Sequence, residues 1–172
     1  VSPTQARRPD QNDNQRGRPV VQKLTLLLLC LGVVLSSAGC AINRATATVS
    51  PDSEMANTKS FYVVRQVEDT RGIEKLISDS LLKRGYLAKS GDQLPKAPAG
   101  TDVVVTYNDR WMWDITMYMV ELTVTFRSPE NNFPMATGNS YHTSLTRQSP
   151  QEMVDEVLTN IFNMVKKVRE TK

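Results

Sequence analysis

A chain of 172 residues, 40% hydrophobic and 23% charged, has room for one ordinary domain plus tails and enough apolar content for a real core. Its net charge of +3 comes entirely from residues 1–39, where Arg7, Arg8, Arg16, Arg18 and Lys23 face only Asp10 and Asp13; residues 40–172 carry 16 basic and 16 acidic side chains. A neutral domain has no basic footprint for a phosphate backbone, which argues against nucleic acid as a partner.

The first 19 residues, VSPTQARRPDQNDNQRGRP, are polar and aperiodic. They read as a misassigned start or a disordered extension ahead of a leader that would have normal length from Val20 or Val21. Leu24 to Leu35 is an uncharged, mostly apolar run of 12 residues. As a helix it would span about 18 Å, whereas crossing a bilayer takes about 20 apolar residues, so it reads as the core of a signal peptide. Lys23 supplies the positive end, and Ser36, Ser37, Ala38 and Gly39 are small enough for a signal protease. Two cleavages fit: an ordinary signal peptidase acting at the small residues, or a lipoprotein signal peptidase cutting between Gly39 and Cys40 after the thiol has joined diacylglycerol. The second is the expectation, with a free thiol or a short uncleaved anchor as alternatives. Each buried methylene contributes about 0.8 kcal/mol and one chain alone holds only reversibly, so two or three acyl chains on Cys40 would anchor the domain firmly. Cys30 leaves with the leader, and a single remaining cysteine forms no internal disulfide.

Residues 40–58, rich in Ala, Thr, Ser and Asn, read as the lipidated cysteine and a flexible tether, and residues 59–172 as one globular domain. SFYVVRQ, residues 60–66, has the β-branched and aromatic content of a strand. Ile73, Leu76, Ile77 and Leu81 recur at helical spacing, with Asp69 or Thr70 to cap the start and Gly85 to fit the end. KSGDQLPKAPAG, residues 89–100, reads as a loop. Residues 101–126 alternate as a hairpin turning near Asp114-Ile115, a register that would set Val105 opposite Val124, Tyr107 opposite Leu122 and Trp111 opposite Tyr118. One side then collects Val103, Val105, Tyr107, Trp111, Trp113, Tyr118, Val120, Leu122, Val124 and Phe126, with Met112, Met117 and Met119 on the other side near the tip. Asp109 falls on the apolar side and predicts a bulge or register change there. MATGNSYHTSL, residues 135–145, predicts a weaker fourth strand at an edge. Ser149, Pro150 and Glu152 form a helix start signal, and Met153, Val154, Val157, Leu158, Ile161, Phe162, Val165 and Val168 share one face behind it. The order β-α-β-β-β-α predicts an α+β two-layer sandwich: a four-stranded, mostly antiparallel sheet with two helices on one face.

Chemistry is sparse in this pattern. His142, the only histidine, has no cysteine or second histidine spaced to share a metal, and it reads as an ordinary strand residue. No nucleophile elbow, zinc-protease helix, phosphate-cradling loop or paired-cysteine motif is present, so no metal or other cofactor is expected. Asp109 and Asp114 are conceivable as an acid–base pair, although Asp114 fits a turn former and Asp109 a partner of Arg110 or the backbone. Arg110, Trp111, Met112 and Trp113 form the candidate contact for a partner, since Arg and Trp dominate binding hot spots. The competing reading has both tryptophans capping the core beneath the helices.

LSSAGC, residues 35–40, resembles a bacterial lipobox, with Ser37 where leucine is commoner. The RGY helix end at residues 84–86, the TY..RW.WD...Y hairpin and the capped terminal helix resemble those of small Gram-negative lipoproteins, a family with no established activity. This resemblance implies an envelope location and a two-layer α+β domain, and carries over no catalytic residue. In such lipoproteins the residue after the cysteine influences sorting, and Ala41 implies the outer membrane. The expectation is a non-enzymatic lipoprotein on the periplasmic face, anchored by acylated Cys40 and acting on an envelope protein partner as an adaptor or maintenance factor. An envelope hydrolase with a site invisible in sequence, and a small-ligand or lipid carrier with an aromatic pocket between sheet and helices, are the alternatives.

Overall fold

A computed structural model describes Lys23, residues 43–51 and residues 55–171. Gly39, Cys40 and Ala41, the predicted processing and sorting residues, lie outside the described residues. Every element below belongs to the second of two compact units, residues 41–172. The elements are β1 (Asn43–Val49), β2 (Ser60–Val64), α1 (Ile73–Lys83), β3 (Leu87–Gly91), β4 (Val103–Trp113), β5 (Met117–Arg127), β6 (Pro134–His142) and α2 (Pro150–Glu170). Among the described residues, no helix is long and apolar enough to cross a membrane.

The α+β class and the two amphipathic helices match the expectation, while the sheet is larger and mixed: six strands in the order β1-β6-β5-β4-β2-β3. β1, β6, β5 and β4 are antiparallel to one another in succession, and β2 is parallel to both β3 and β4. Two strands were therefore missing from the sequence reading. The stretch read as a tether holds β1, whose seven residues pair with β6 from Asn43 opposite His142 to Val49 opposite Ala136. Its residues are small because α2 passes over them, and Ala47 and Val49 pack against the core. Pairing with β1 also makes β6 an interior strand rather than an edge. The predicted loop hides part of β3, a five-residue edge strand of Leu, Ala, Lys, Ser and Gly. Edge strands are commonly short, with a lysine, so a hydrophobic pattern does not reveal them. Gly91 ends β3 beneath Tyr62, where a Cβ would stand 2.6 Å from the phenol oxygen.

Alternation places one sheet face against both helices. Phe61, Val63, Val103, Val105, Tyr107, Leu122, Val124, Phe126 and Ala136 form one buried cluster with Ile73, Ile77 and Leu81 of α1 and Met153, Val154, Val157, Leu158 and Ile161 of α2. Phe162 joins Phe61 and Phe126 and stacks on Tyr86 at 4.8 Å, closing the core where the two helices meet. The opposite face carries Thr46, Thr106, Thr123, Thr125, Thr137 and Asn139, the polar side of a sheet packed on one face only.

Helix α2 approaches β6 closely because Gly138 has no side chain there. A Cβ on it would lie 2.8 Å from Ile161 Cγ1 and 2.9 Å from Val157 Cγ1. The start of α2 is the predicted capping box: Ser149 Oγ accepts the Glu152 N–H, and the Glu152 carboxylate accepts the Ser149 N–H at 2.7 Å. The glutamate is correspondingly held below the usual carboxylate range, first by the Ser149 backbone bond and then by its hydroxyl.

Candidate interaction surface

The β4–β5 hairpin is longer than the strands that flank it. On one side β2 pairs with β4 only as far as Val63 opposite Val105; on the other, β6 pairs with β5 only from Glu121 onward. Beyond Arg110 and Glu121 the two strands are paired with each other alone and project as an arm. The hairpin register differs from the expected one by two positions near the core, where Val105 faces Phe126 and Tyr107 faces Val124, and by one in the arm, where Trp111 faces Met119. One position comes from the loop, which holds three residues, 114–116, between the Trp113–Met117 pair rather than turning at two. The other comes from a bulge between Arg110 and Trp111, one residue from the predicted site, which leaves Val120 without a cross-strand partner. A bulge reverses side-chain phase. Met119 is thereby 1% exposed in the core instead of lying with the tip methionines.

Trp111 and Trp113 lie two residues apart on one face of β4, with no register shift between them, and differ in how far along the arm they stand. Trp111 packs against the edge of the core, donates Nε1–H to Asp109 at 2.5 Å, and lies beneath the Arg71 guanidinium at 4.2 Å. The core-capping reading therefore fits Trp111. Trp113 departs from it and is 71% exposed, beside Ile115 at 85% and Met112 and Met117 at 48% each. Arg110 pairs with Glu121 across the arm at 3.0 Å and lies 5.9 Å from the Tyr141 ring.

Sequence reasoning missed the residue that fixes this arm. Arg147, in the segment before α2, donates to Asp114 at 2.7 Å and to Thr116 at 2.9 Å while stacking on Tyr118 at 4.3 Å. Asp114 is thus a loop residue tied down by a cation, and Asp109 holds an indole; the structure does not bring the two together as an acid–base pair. Only the loop position of Asp114, not its partner, was legible in the sequence.

Two buried polar networks lie behind the arm. Asp69 accepts the N–H groups of Arg71 and Gly72 at 2.7 and 2.9 Å, that of Ile73 at 2.8 Å, and the Tyr107 hydroxyl at 2.6 Å. Burial opposes its charge, but these donors and a bond with Glu74 outweigh it and hold Asp69 at about 2. Glu74, 4% exposed, is pushed up by burial first and then by its bond to Asp69. Burial and then the bond to Asp69 likewise raise the Tyr107 hydroxyl. The N-cap of α1 is Gly72, in the left-handed conformation, rather than either predicted cap, Asp69 or Thr70; Asp69 instead gathers the N–H groups of the turn that leads into α1 and pins it to β4 through Tyr107. The second network joins β6 to α2. Ser140 donates to Glu156 at 2.5 Å and His142 Nε2 lies 2.9 Å from the same Oε2. His142 is 1% exposed. Serine and histidine both meet the carboxylate rather than each other, so neither activates the other; the glutamate clasps helix to strand. No cluster of three metal-ligating side chains occurs among the described residues.

At the opposite end of the sheet, a cleft of about 440 Å³ opens between Asn57–Thr58, Thr101–Asp102 and the β5–β6 turn, with Glu130 and Phe133 at its wall.

No family model matches the chain, and no curated protein matches it. Solved structures similar in fold include the PelC dodecamer from Paraburkholderia phytofirmans, 14% identical over 70% of this chain and 97% of that one, TM-score 0.49. A point variant of the same dodecamer is 13% identical over the same shares, TM-score 0.50. A minor lipoprotein from Acinetobacter baumannii is 15% identical over 65% of this chain and 93% of that one, TM-score 0.33. At 13% identity, the likeness to the point variant is one of fold alone.

Proposed function

We propose that this chain is a lipid-anchored, non-catalytic binding domain of a bacterial cell envelope, acylated at Cys40, sorted to the outer membrane through Ala41, and facing the periplasm as an adaptor or maintenance factor. One observation supports a binding role above the rest: the arm ends in Met112, Trp113, Ile115 and Met117, 48–85% exposed. Arg147 and the Trp111–Asp109 contact hold that end in place. A fixed projection carrying exposed aromatic and aliphatic side chains suits contact, because little ordering entropy is lost when it docks. The leader and lipobox motif support the anchor independently.

Mass spectrometry of the protein extracted from membranes tests the anchor. The expected N-terminal peptide begins at Cys40 and carries the mass of the acyl groups; an unmodified Cys40 refutes the reading. A photo-crosslinking residue in place of Met112 tests the surface in intact cells. It is expected to label an envelope component, lipid or protein, while the same probe at Leu82, on α1, does not.

A further inference from the structure

We infer that the free end of the β4–β5 arm is a second membrane contact, inserting into the surface of the bilayer that holds the Cys40 acyl chains; its setting rests on the anchor reading, its test does not. Strand register carries the argument. Asn43 pairs with His142, and the neighbouring Tyr141 pairs with Glu121, so the start of β1 lies level with the root of the arm. The chain therefore enters the domain at the end from which the arm projects. Met117, the first residue of β5, stands three residues beyond Val120, about 10 Å along the strand, and the loop carries Ile115 beyond it, while the three residues from Cys40 to Asn43 span about 10 Å at full extension. With Cys40 at the bilayer surface, the end of the paired strands comes level with that surface and the loop at the tip lies past it, where interfacial segments bury their apolar side.

Exposed apolar side chains gather at that end. Leu145 (75% exposed), two residues before Arg147, and Val67 (99%), in the loop that follows β2, lie at the same end of the sheet. An indole on such a tip suits the headgroup layer, where its ring meets hydrocarbon and its N–H meets water. The arginines behind the tip are already paired, Arg147 with Asp114 and Arg110 with Glu121. Apolar insertion rather than charge thus drives the contact, and salt has little effect on it. Direction distinguishes a bilayer from a protein as the occupant: a tip pointing along the anchored end faces lipid first.

Residues 41–172 form the compact unit that holds the whole core and contain no cysteine, so they serve as the test protein. A histidine tag at the N-terminus tethers this unit to vesicles of phosphatidylethanolamine and phosphatidylglycerol containing a nickel-chelating lipid and brominated acyl chains. Trp111→Phe leaves Trp113 as the single indole. Its emission is expected to fall by roughly half and shift to the blue, with little change in high salt. The tag moved to the C-terminus provides the contrast, because α2 runs from Ser140 and His142 back toward Phe61 and Phe126, away from the arm. That protein is expected to show little quenching, and Ile115→Ser is expected to weaken the N-tethered signal several-fold. Ile115→Cys carrying an environment-sensitive dye repeats the measurement with both tryptophans intact. Unquenched Trp113 under N-terminal tethering, with a dye that stays in water, overturns the inference and assigns the tip to a protein partner. Because the tag replaces the acyl chains, failure here leaves the Cys40 anchor standing, and an unacylated Cys40 leaves this result standing.

Discussion

Replacing Gly138 by alanine perturbs the point where α2 comes closest to the sheet. The new methyl would meet Ile161 Cγ1 at 2.8 Å, Val157 Cγ1 at 2.9 Å and Ile161 Cδ1 at 3.0 Å. Carbon atoms prefer about 3.5–4.0 Å, so α2 must withdraw by a sizeable fraction of an ångström, and a gap of about 0.5–1 Å forfeits a quarter to a half of each contact it opens. Overpacking of this kind destabilises by about 1–3 kcal/mol. Gly138 has no positive φ, so alanine also stiffens the unfolded chain and returns about 0.4–1 kcal/mol. The net expectation is a loss of about 0.5–2 kcal/mol. Urea unfolding of residues 41–172 measures it as a lower midpoint at unchanged slope. Ile161→Val removes the Cδ1 contact and should be less harmful in the Gly138→Ala background than in the parent, with a coupling of about 0.5 kcal/mol or more. A parental midpoint for Gly138→Ala, or strict additivity with Ile161→Val, would refute the reasoning.

Glu74, with its raised pKa, contributes its full stability below the unfolded value near about 4.3 and loses it as pH rises through the folded value. Glu74→Gln keeps a donor to Asp69 without the charge, so it should equal the parent near pH 4 and exceed it at pH 8 by chemical denaturation. Asp69 has the opposite sign: held at about 2, its contribution is present above about 4 and fades as pH falls toward 2, so Asp69→Asn should be destabilised at pH 7 and converge with the parent in acid. Arg147→Ala leaves global stability within about 1 kcal/mol, because its ion pair is half-exposed, yet speeds amide exchange around residues 114–117. Glu156→Ala leaves Ser140 and His142 without their shared acceptor and should lower stability by about 1–3 kcal/mol in the same urea assay. A fragment cut at the boundary read from sequence, residues 59–172, uncovers the edge of β6 and should self-associate in ultracentrifugation where residues 41–172 do not.

The elements that hold the core were legible because burial writes a period into the sequence. α2 showed both its cap and its stripe, and the halves of β4 and β5 nearer the core alternated cleanly. β1 was not legible because its chemistry answers to a helix passing close overhead: Ala45, Ala47 and Val49 are small or modest, and the intervening Thr and Arg face water. Read alone, that pattern is indistinguishable from a polar tether. β3 was hidden for a different reason, being an edge whose pairing is carried by backbone atoms. The candidate surface was half legible. Composition identified Trp111 and Trp113, but which one is exposed depends on where the core ends along the arm: Trp111 packs against it and Trp113, two residues further out on the same face, is 71% exposed. Asp109 pointed to the bulge, but not to the strand that would carry the extra residue, since Met119 and Val120 are both apolar and both buried. The Arg147 clamp was invisible because it joins residues 31 and 33 positions apart.

The position of β1 also governs how the domain carries load. In the anchored protein proposed above, a pull from the membrane enters at Asn43 and runs along the strand axis. The seven pairs joining β1 to β6 are then loaded together in shear rather than peeled apart in turn. Tension next passes into β6 and across to α2 through the Glu156 clasp, bypassing the short β3 edge. The outermost strand is thereby the domain's mechanical coupling to its anchor, and resistance to extraction depends on the length of that ladder rather than on the depth of the core.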